Sequence, residues 1–107
     1  SIPSSADQED HVSMATTASR KTWAVMDNLD NILAIEYLCA SQALDLLRPL
    51  KPSPAAAAAR KLLRKYVATI DDDRWFGPDI EKARELIASG RVDQVSAKAC
   101  NYEWELL

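Results

Sequence analysis

Residues 23–47 read WAVMDNLDNILAIEYLCASQALDLL, twenty-five residues with neither glycine nor proline. Met26, Leu29, Leu33, Glu36, Ala40, Ala43 and Leu47 fall at three- and four-residue steps, the spacing of one face of an α-helix. Ile32, Ile35, Leu38, Cys39, Leu44 and Leu46 widen the apolar surface well beyond a single face. A helix that is apolar on several sides belongs inside a bundle. Pro49 closes it, and Pro52 and Pro54 prevent a restart before residue 53, because proline lacks the amide donor and restricts the residue ahead of it. Toward the N-terminus, Met14, Ala15, Ala18, Thr22, Val25 and Met26 continue the same steps. The pattern therefore predicts a helix over 12–48, with a possible break near the weak helix formers Thr16, Thr17 and Thr22.

Downstream, Ser53-Pro54 combines a hydroxyl N-cap with proline at the first helical position. Ala55–Ala59 lead into Leu62, Leu63, Tyr66, Val67 and Ile70, so a second helix is expected over 53–70, with Arg60, Lys61, Arg64 and Lys65 on its wet side. Asp71-Asp72-Asp73 ends it. Pro78 opens a third helix, expected over 78–89, with Asp79 and Glu81 where the helix dipole favours acids. Its core face is Ile80, Ala83, Leu86 and Ile87, and Gly90 is its stop. A short fourth helix is expected over about 91–99. In the tail, 100–107, Trp104, Leu106 and Leu107 call for a partner surface. The fold class is all-α: a long helix or broken pair, then shorter helices.

A helix over 12–48 is about 55 Å long at ~1.5 Å per residue. A compact chain of this size has a radius of gyration near ~13 Å, so a diameter of roughly 34 Å. The helix outreaches its own domain with an apolar surface, which requires helices from other parts of a longer chain or from other subunits. The first residue is Ser1, which suggests a processed, truncated or cleaved product.

Composition narrows the function. There are 13 basic and 16 acidic residues, a formal net charge of −3, which leaves no basic footprint for nucleic acid. Two glycines among 107 residues are too few for an all-β chain rich in turns. Cys39 and Cys100 are far apart, and the simplest reading is two free thiols in a reducing, cytoplasmic setting. With a single histidine, a structural zinc site is not expected. No stretch has the ~18 apolar residues of a membrane span and no signal peptide is visible.

The N-terminal stretch Ser1-Ile2-Pro3-Ser4-Ser5-Ala6-Asp7-Gln8-Glu9-Asp10-His11-Val12-Ser13-Met14 concentrates titratable groups ahead of the long helix. By physics alone, Asp10 is a candidate cap for the helix that follows. The run Gln8-Glu9-Asp10-His11-Val12-Ser13-Met14 resembles the hallmark of the histidine ammonia-lyases, members of the aromatic amino acid lyase family. Ala18-Ser19-Arg20-Lys21, Asn28-Leu29, Ile32-Leu33-Ala34-Ile35-Glu36, Gln42-Ala43-Leu44-Asp45 and Leu50-Lys51 fit the long helix that follows in that family. Asp73-Arg74-Trp75-Phe76 and Pro78-Asp79-Ile80-Glu81 match a late signature, so the resemblance spans about residues 1–95.

The resemblance implies a C-terminal segment of a helical-bundle homotetramer that eliminates ammonia from L-histidine to give urocanate, with 1–11 as an active-site loop. It implies that Glu9 is the active-site carboxylate, engaging the substrate imidazole or assisting proton transfer, with Gln8, Asp10 and His11 beside it as substrate-binding or supporting residues. Phenylalanine lyases tend to carry glutamine in the place of Glu9, and a glutamine does not pair with a charged imidazole, so Glu9 favours histidine. The implied electrophile is a methylideneimidazolone formed from an Ala-Ser-Gly tripeptide in another part of the enzyme. The chain's partners are then the remainder of the lyase, its other subunits and the amino acid substrate, and the chain by itself is expected to be inactive.

Ala88-Ser89-Gly90 is an Ala-Ser-Gly tripeptide, but it ends an amphipathic helix and reads as a stop. No cofactor or metal is therefore expected within these residues. The cluster Arg60, Lys61, Arg64, Lys65 lacks an aromatic platform and reads as a solvated face. Trp75-Phe76 is expected to pack a loop against the bundle, with Arg74 paired to a nearby acid. Two rival readings are a tyrosine or phenylalanine lyase or aminomutase, and an inactive helical oligomerisation module.

Overall fold

A computed structural model describes residues 5–8 and 13–101. Every regular element among them is an α-helix: α1 (Ala15–Leu46), α2 (Pro54–Leu63), α3 (Gly77–Ala88) and α4 (Arg91–Ala99). Helix α1 runs unbroken through the threonines. The hydroxyl of Thr22 donates to the Ala18 carbonyl at 3.0 Å and that of Ser19 to the Ala15 carbonyl at 2.8 Å, so these polar side chains are satisfied within the helix. The start of α1 is served by Ser13, whose Oγ accepts from the Ala15 amide at 3.2 Å. Asp10, the candidate cap, lies outside the described residues.

Helix α3 lies along α1, and α4 packs mainly on α2. The buried core joins Ala34 and Leu38 of α1, Leu62 and Leu63 of α2, Val67 just beyond it, and Ala83 and Leu86 of α3. Ala34 and Ala83 are completely buried. Such small residues allow close helix approach, while Leu63, Leu86 and Val67 supply the volume. Tyr37, Ile80, Ile87, Val92 and Val95 close the rim.

The second helix is shorter than the pattern over 53–70 predicts. It begins as expected, with Ser53 Oγ accepting from the Ala56 amide and Pro54 at the first turn. It stops at Leu63 because its final turn tightens: the amides of Lys65 and Tyr66 return to the carbonyls three residues back. Arg64 then takes the carbonyls of Val67 and Ala68 with its guanidinium. Gln42 pairs with both the amide and the carbonyl of Ile70. Side chains thus satisfy the backbone groups that a continuing helix would have paired internally. Val67 remains buried, and this burial is what mimicked helical periodicity past the true end.

Gly90 behaves as expected. Its φ of +69° is left-handed, and its amide donates to the Ile87 carbonyl at 2.8 Å, ending α3 and opening α4 in one residue.

The molecule is elongated, with a radius of gyration of 20.6 Å and extents of 71 × 39 × 20 Å. Residues 13–29 are all exposed, although Trp23, Val25, Met26 and Leu29 lie among them. The apolar face expected to need outside helices is therefore uncovered by α2, α3 and α4. No helix among the described residues is long and apolar enough to cross a membrane.

Truncating Leu63 to alanine should cost this chain about 3 kcal/mol by emptying the core. Ile32→Ala, at a side chain 60% exposed, should change stability by less than about 0.5 kcal/mol. Urea denaturation followed by circular dichroism compares the two.

Candidate functional site

Of the four residues expected at the active site, the described part of the structure contains Gln8. It closes the turn Ser5–Gln8, its amide donating to the Ser5 carbonyl at 3.0 Å. Ser5, Ala6 and Asp7 have φ of 50°, 55° and 65°, three successive non-glycine residues in left-handed conformation. Such a run costs roughly 1–2 kcal/mol per residue, so backbone strain is concentrated immediately before Glu9. Gln8 is exposed. Glu9, Asp10 and His11 lie outside the described residues, as does the tail from Tyr102 onward.

The most densely charged cluster sits at the far end of α1. Asp45, with its side chain 7% exposed, receives Arg60 on one carboxylate oxygen and Arg64 on the other, the latter at 2.8 Å. Arg48 adds a third ion pair at 3.2 Å. Arg64 also reaches Gln42 Oε1 at 3.2 Å. Arg60 and Arg64, expected on a solvated face, are therefore tied inward; Lys61 and Lys65 are the exposed members of that run. The i,i+4 spacing of Arg60 and Arg64, across the end of α2, matches the i,i+3 spacing of Gln42 and Asp45 on α1, and that pairing was the signal available in the sequence. Burial pushes the Asp45 carboxyl up, but hydrogen bonds from Arg64 and Arg60 and their charges outweigh it and hold it below its ordinary 3.8.

A second polar clamp holds the loop before α3. Arg74 pairs with Asp79 at 2.8 Å and donates to the carbonyls of Thr69 and Ala68. The expected acid partner of Arg74 is thus present. The expected packing of both aromatics is not. Phe76 turns inward, with the Arg74 guanidinium 5.8 Å from its ring centroid. Trp75 is 83% exposed and lies over Gly77, where a side-chain carbon would stand 2.8 Å from the indole nitrogen. Arg74 spends its donors on backbone carbonyls and Asp79, which fixes the loop with the indole outward.

Between α1 and this loop lies an open apolar groove of about 460 Å³, lined by residues such as Ile35, Leu38, Cys39, Leu46, Phe76 and Ile80. It offers no constellation of acid, base and nucleophile. Among the described residues no group of three histidine, cysteine or carboxylate side chains converges as a metal site. Cys39 and Cys100 are free and exposed. The described residues thus form a helical scaffold.

Comparison with known proteins places that scaffold. The profile of the aromatic amino acid lyases matches residues 1–65, and the chain belongs to that family. It is 52% identical over 92 residues to a histidine ammonia-lyase of Enterobacter sp. (strain 638), covering 86% of this chain and 18% of that protein. It is 52% identical over 95 residues to the histidine ammonia-lyase of Yersinia enterocolitica, covering 89% of this chain and 19% of the relative. A crystal structure of tyrosine aminomutase from Streptomyces globisporus superposes on the whole chain with a TM-score of 0.81 at 34% identity, using 20% of its own length. The chain spans about a fifth of the length of the relatives it matches, and the all-helical architecture is the one they share.

If Asp45 is the anchor of its cluster, Asp45→Asn should destabilise the chain by about 3 kcal/mol at neutral pH, because two partly buried guanidinium groups lose their counter-charge. A depressed folded-state pKa contributes stability that is complete above the unfolded value and lost as pH falls through the folded one. The difference between wild type and variant should therefore shrink below the ordinary 3.8. Urea melts at neutral pH and at low pH give both numbers.

Proposed function

We propose that the chain is part of a carbon–nitrogen lyase that eliminates ammonia from L-histidine to give urocanate. The observation that carries this reading is the Gln8-Glu9-Asp10-His11 run within a chain 52% identical to histidine ammonia-lyases over most of its length. In this proposal Glu9 is the active-site carboxylate. It accepts a hydrogen bond from the substrate imidazole or moves a proton during elimination, and both tasks suit a carboxylate that is ionised near neutral pH. Gln8, Asp10 and His11 orient it.

The family's methylideneimidazolone does not fit the residues present. Ala88-Ser89-Gly90 is the tripeptide of the right composition, yet Ala88 is the last residue of α3, Ser89 caps it with its Oγ on the Leu86 carbonyl, and Gly90 turns directly into α4. This is a helix stop, and the group is assigned to sequence outside this chain. The 107 residues alone are accordingly inactive in this proposal.

The proposed partners are the remainder of the lyase and its other subunits in a homotetramer, which would cover the apolar face of α1. The proposed setting is the cytoplasm, in keeping with two free, exposed thiols. The overlap of this chain with a fifth of a tyrosine aminomutase gives the second reading, an enzyme acting on tyrosine or phenylalanine. The higher identity to the histidine enzymes and the carboxylate at Glu9 favour histidine.

The full-length protein that contains this segment should raise the ultraviolet absorbance of urocanate when given histidine, and the isolated chain should not. Turnover of tyrosine in preference to histidine would reverse the substrate assignment. In the full-length protein, Glu9→Gln should lower kcat/KM for histidine by roughly 100-fold or more. A rise in KM at constant kcat assigns Glu9 to binding, and an equal loss in kcat and kcat/KM assigns it to proton transfer.

A further inference from the structure

Tyr37 and Tyr66 are hydrogen-bonded in opposite senses. Tyr37 is half-buried, and its hydroxyl donates to the Ala59 carbonyl at 2.6 Å. That bond needs the phenolic proton, and burial raises the group above its ordinary value. Tyr66 is 46% exposed, and its hydroxyl oxygen accepts from Arg91 Nη2 at 2.7 Å. This bond persists and strengthens when the phenol loses its proton, because a guanidinium then faces a full negative charge.

The setting reinforces the asymmetry. Arg91, the first residue of α4, holds its guanidinium carbon 5.2 Å from the Tyr66 ring centroid. Lys82 of α3 places its ammonium 5.6 Å from the same centroid. Lys65, just past the end of α2, adds a third nearby positive charge. The carboxylate paired within this set is Glu85, which Lys82 holds. Among the described residues, three cations from three segments thus surround one accessible phenol against one tied acid. The hydrogen bond from Arg91, then the charges of Arg91, Lys65 and Lys82, outweigh desolvation and hold the phenol below its ordinary 10.0.

We propose that Tyr66, accepting from Arg91 between the cations of α3 and α4, is a nucleophilic phenol and a covalent modification site for acyl donors. The phenolate oxygen attacks the acyl carbon. A new O–C bond forms, the bond from that carbon to the leaving group breaks, and the leaving group carries away the electron pair. The phenolic proton passes to the departing base or to water. Arg91 and Lys82 stabilise the oxyanion before attack and do not themselves react.

The experiment uses N-acetylimidazole at neutral pH on the full-length protein that contains this segment, with the labelled residues mapped by peptide mass spectrometry. Hydroxylamine removes acetyl from tyrosine oxygen and leaves it on lysine nitrogen, which separates Tyr66 from Lys65 and Lys82. Tyr66 should acetylate roughly tenfold or more faster than Tyr37. Arg91→Gln should slow Tyr66 severalfold, and Arg91→Lys should restore part of the rate. Equal rates at Tyr66 and Tyr37, or an unchanged rate in a folded Arg91→Gln variant, would overturn the proposal. Should that variant lose its cooperative melt, the wild-type pH–rate profile decides. A midpoint for Tyr66 below 10.0 supports the proposal, and one at or above 10.0 refutes it.

Discussion

Asp45 is the point at which the long helix is tied to everything that follows it. One carboxylate near the C-terminal end of α1 engages Arg60 of α2 and Arg64 immediately after it. Arg64 carries the restraint onward to the carbonyls of Val67 and Ala68. Gln42, one turn from Asp45, holds both backbone polar groups of Ile70. The chain is thereby set to re-enter along α1 as α3, with Ala83 and Leu86 against the core. A nearly buried carboxylate stabilises such an arrangement because its two cations and hydrogen bonds offset the cost of its desolvation.

The core itself is small. Among the described residues seven apolar side chains are buried, and they serve the C-terminal half of α1 and the three helices beside it. The other half of α1 carries Trp23 at 74% and Val25 at 63% exposure, an apolar surface no described residue shields. Such a surface is normal for a strut in a larger bundle and unusual for a free-standing domain. It accords with a chain that covers about a fifth of the lyases and the aminomutase it resembles. The charged clamp built on Asp45 lies near the C-terminal end of α1, away from the exposed N-terminal half of that helix.

Much of the fold was legible because it rests on local rules. The proline brackets around 49–54, the Ser53-Pro54 start and the Gly90 stop all act within a turn of where they stand, and the structure places helix ends at or near each of them. The errors occurred where distant groups intervened. The second helix ends at Leu63 in a tightened turn, and Gln42, 28 residues from Ile70, holds the backbone beyond it. Arg60 and Arg64 looked solvated because their counter-charge is on another helix. Trp75 looked like a packing residue because hydrophobicity alone does not reveal that Arg74 has pinned the loop with the indole outward. Of the candidate site, Gln8 can be placed, in an exposed left-handed turn, while the role of Glu9 rests on sequence likeness.

The sequence by itself determined the all-helical class, the long apolar helical stretch before Pro49, its excess apolar surface and the family to which the chain belongs, while the structure decided that α1 runs unbroken. These depend on periodicity, capping and motif order, which are properties of neighbours along the chain. Tertiary structure alone decided where α2 stops, which cations are buried and which way each tyrosine hydroxyl bonds. Those outcomes depend on which helices meet, since the pairing of a charge or a backbone amide is settled by whichever partner the fold brings within hydrogen-bond reach.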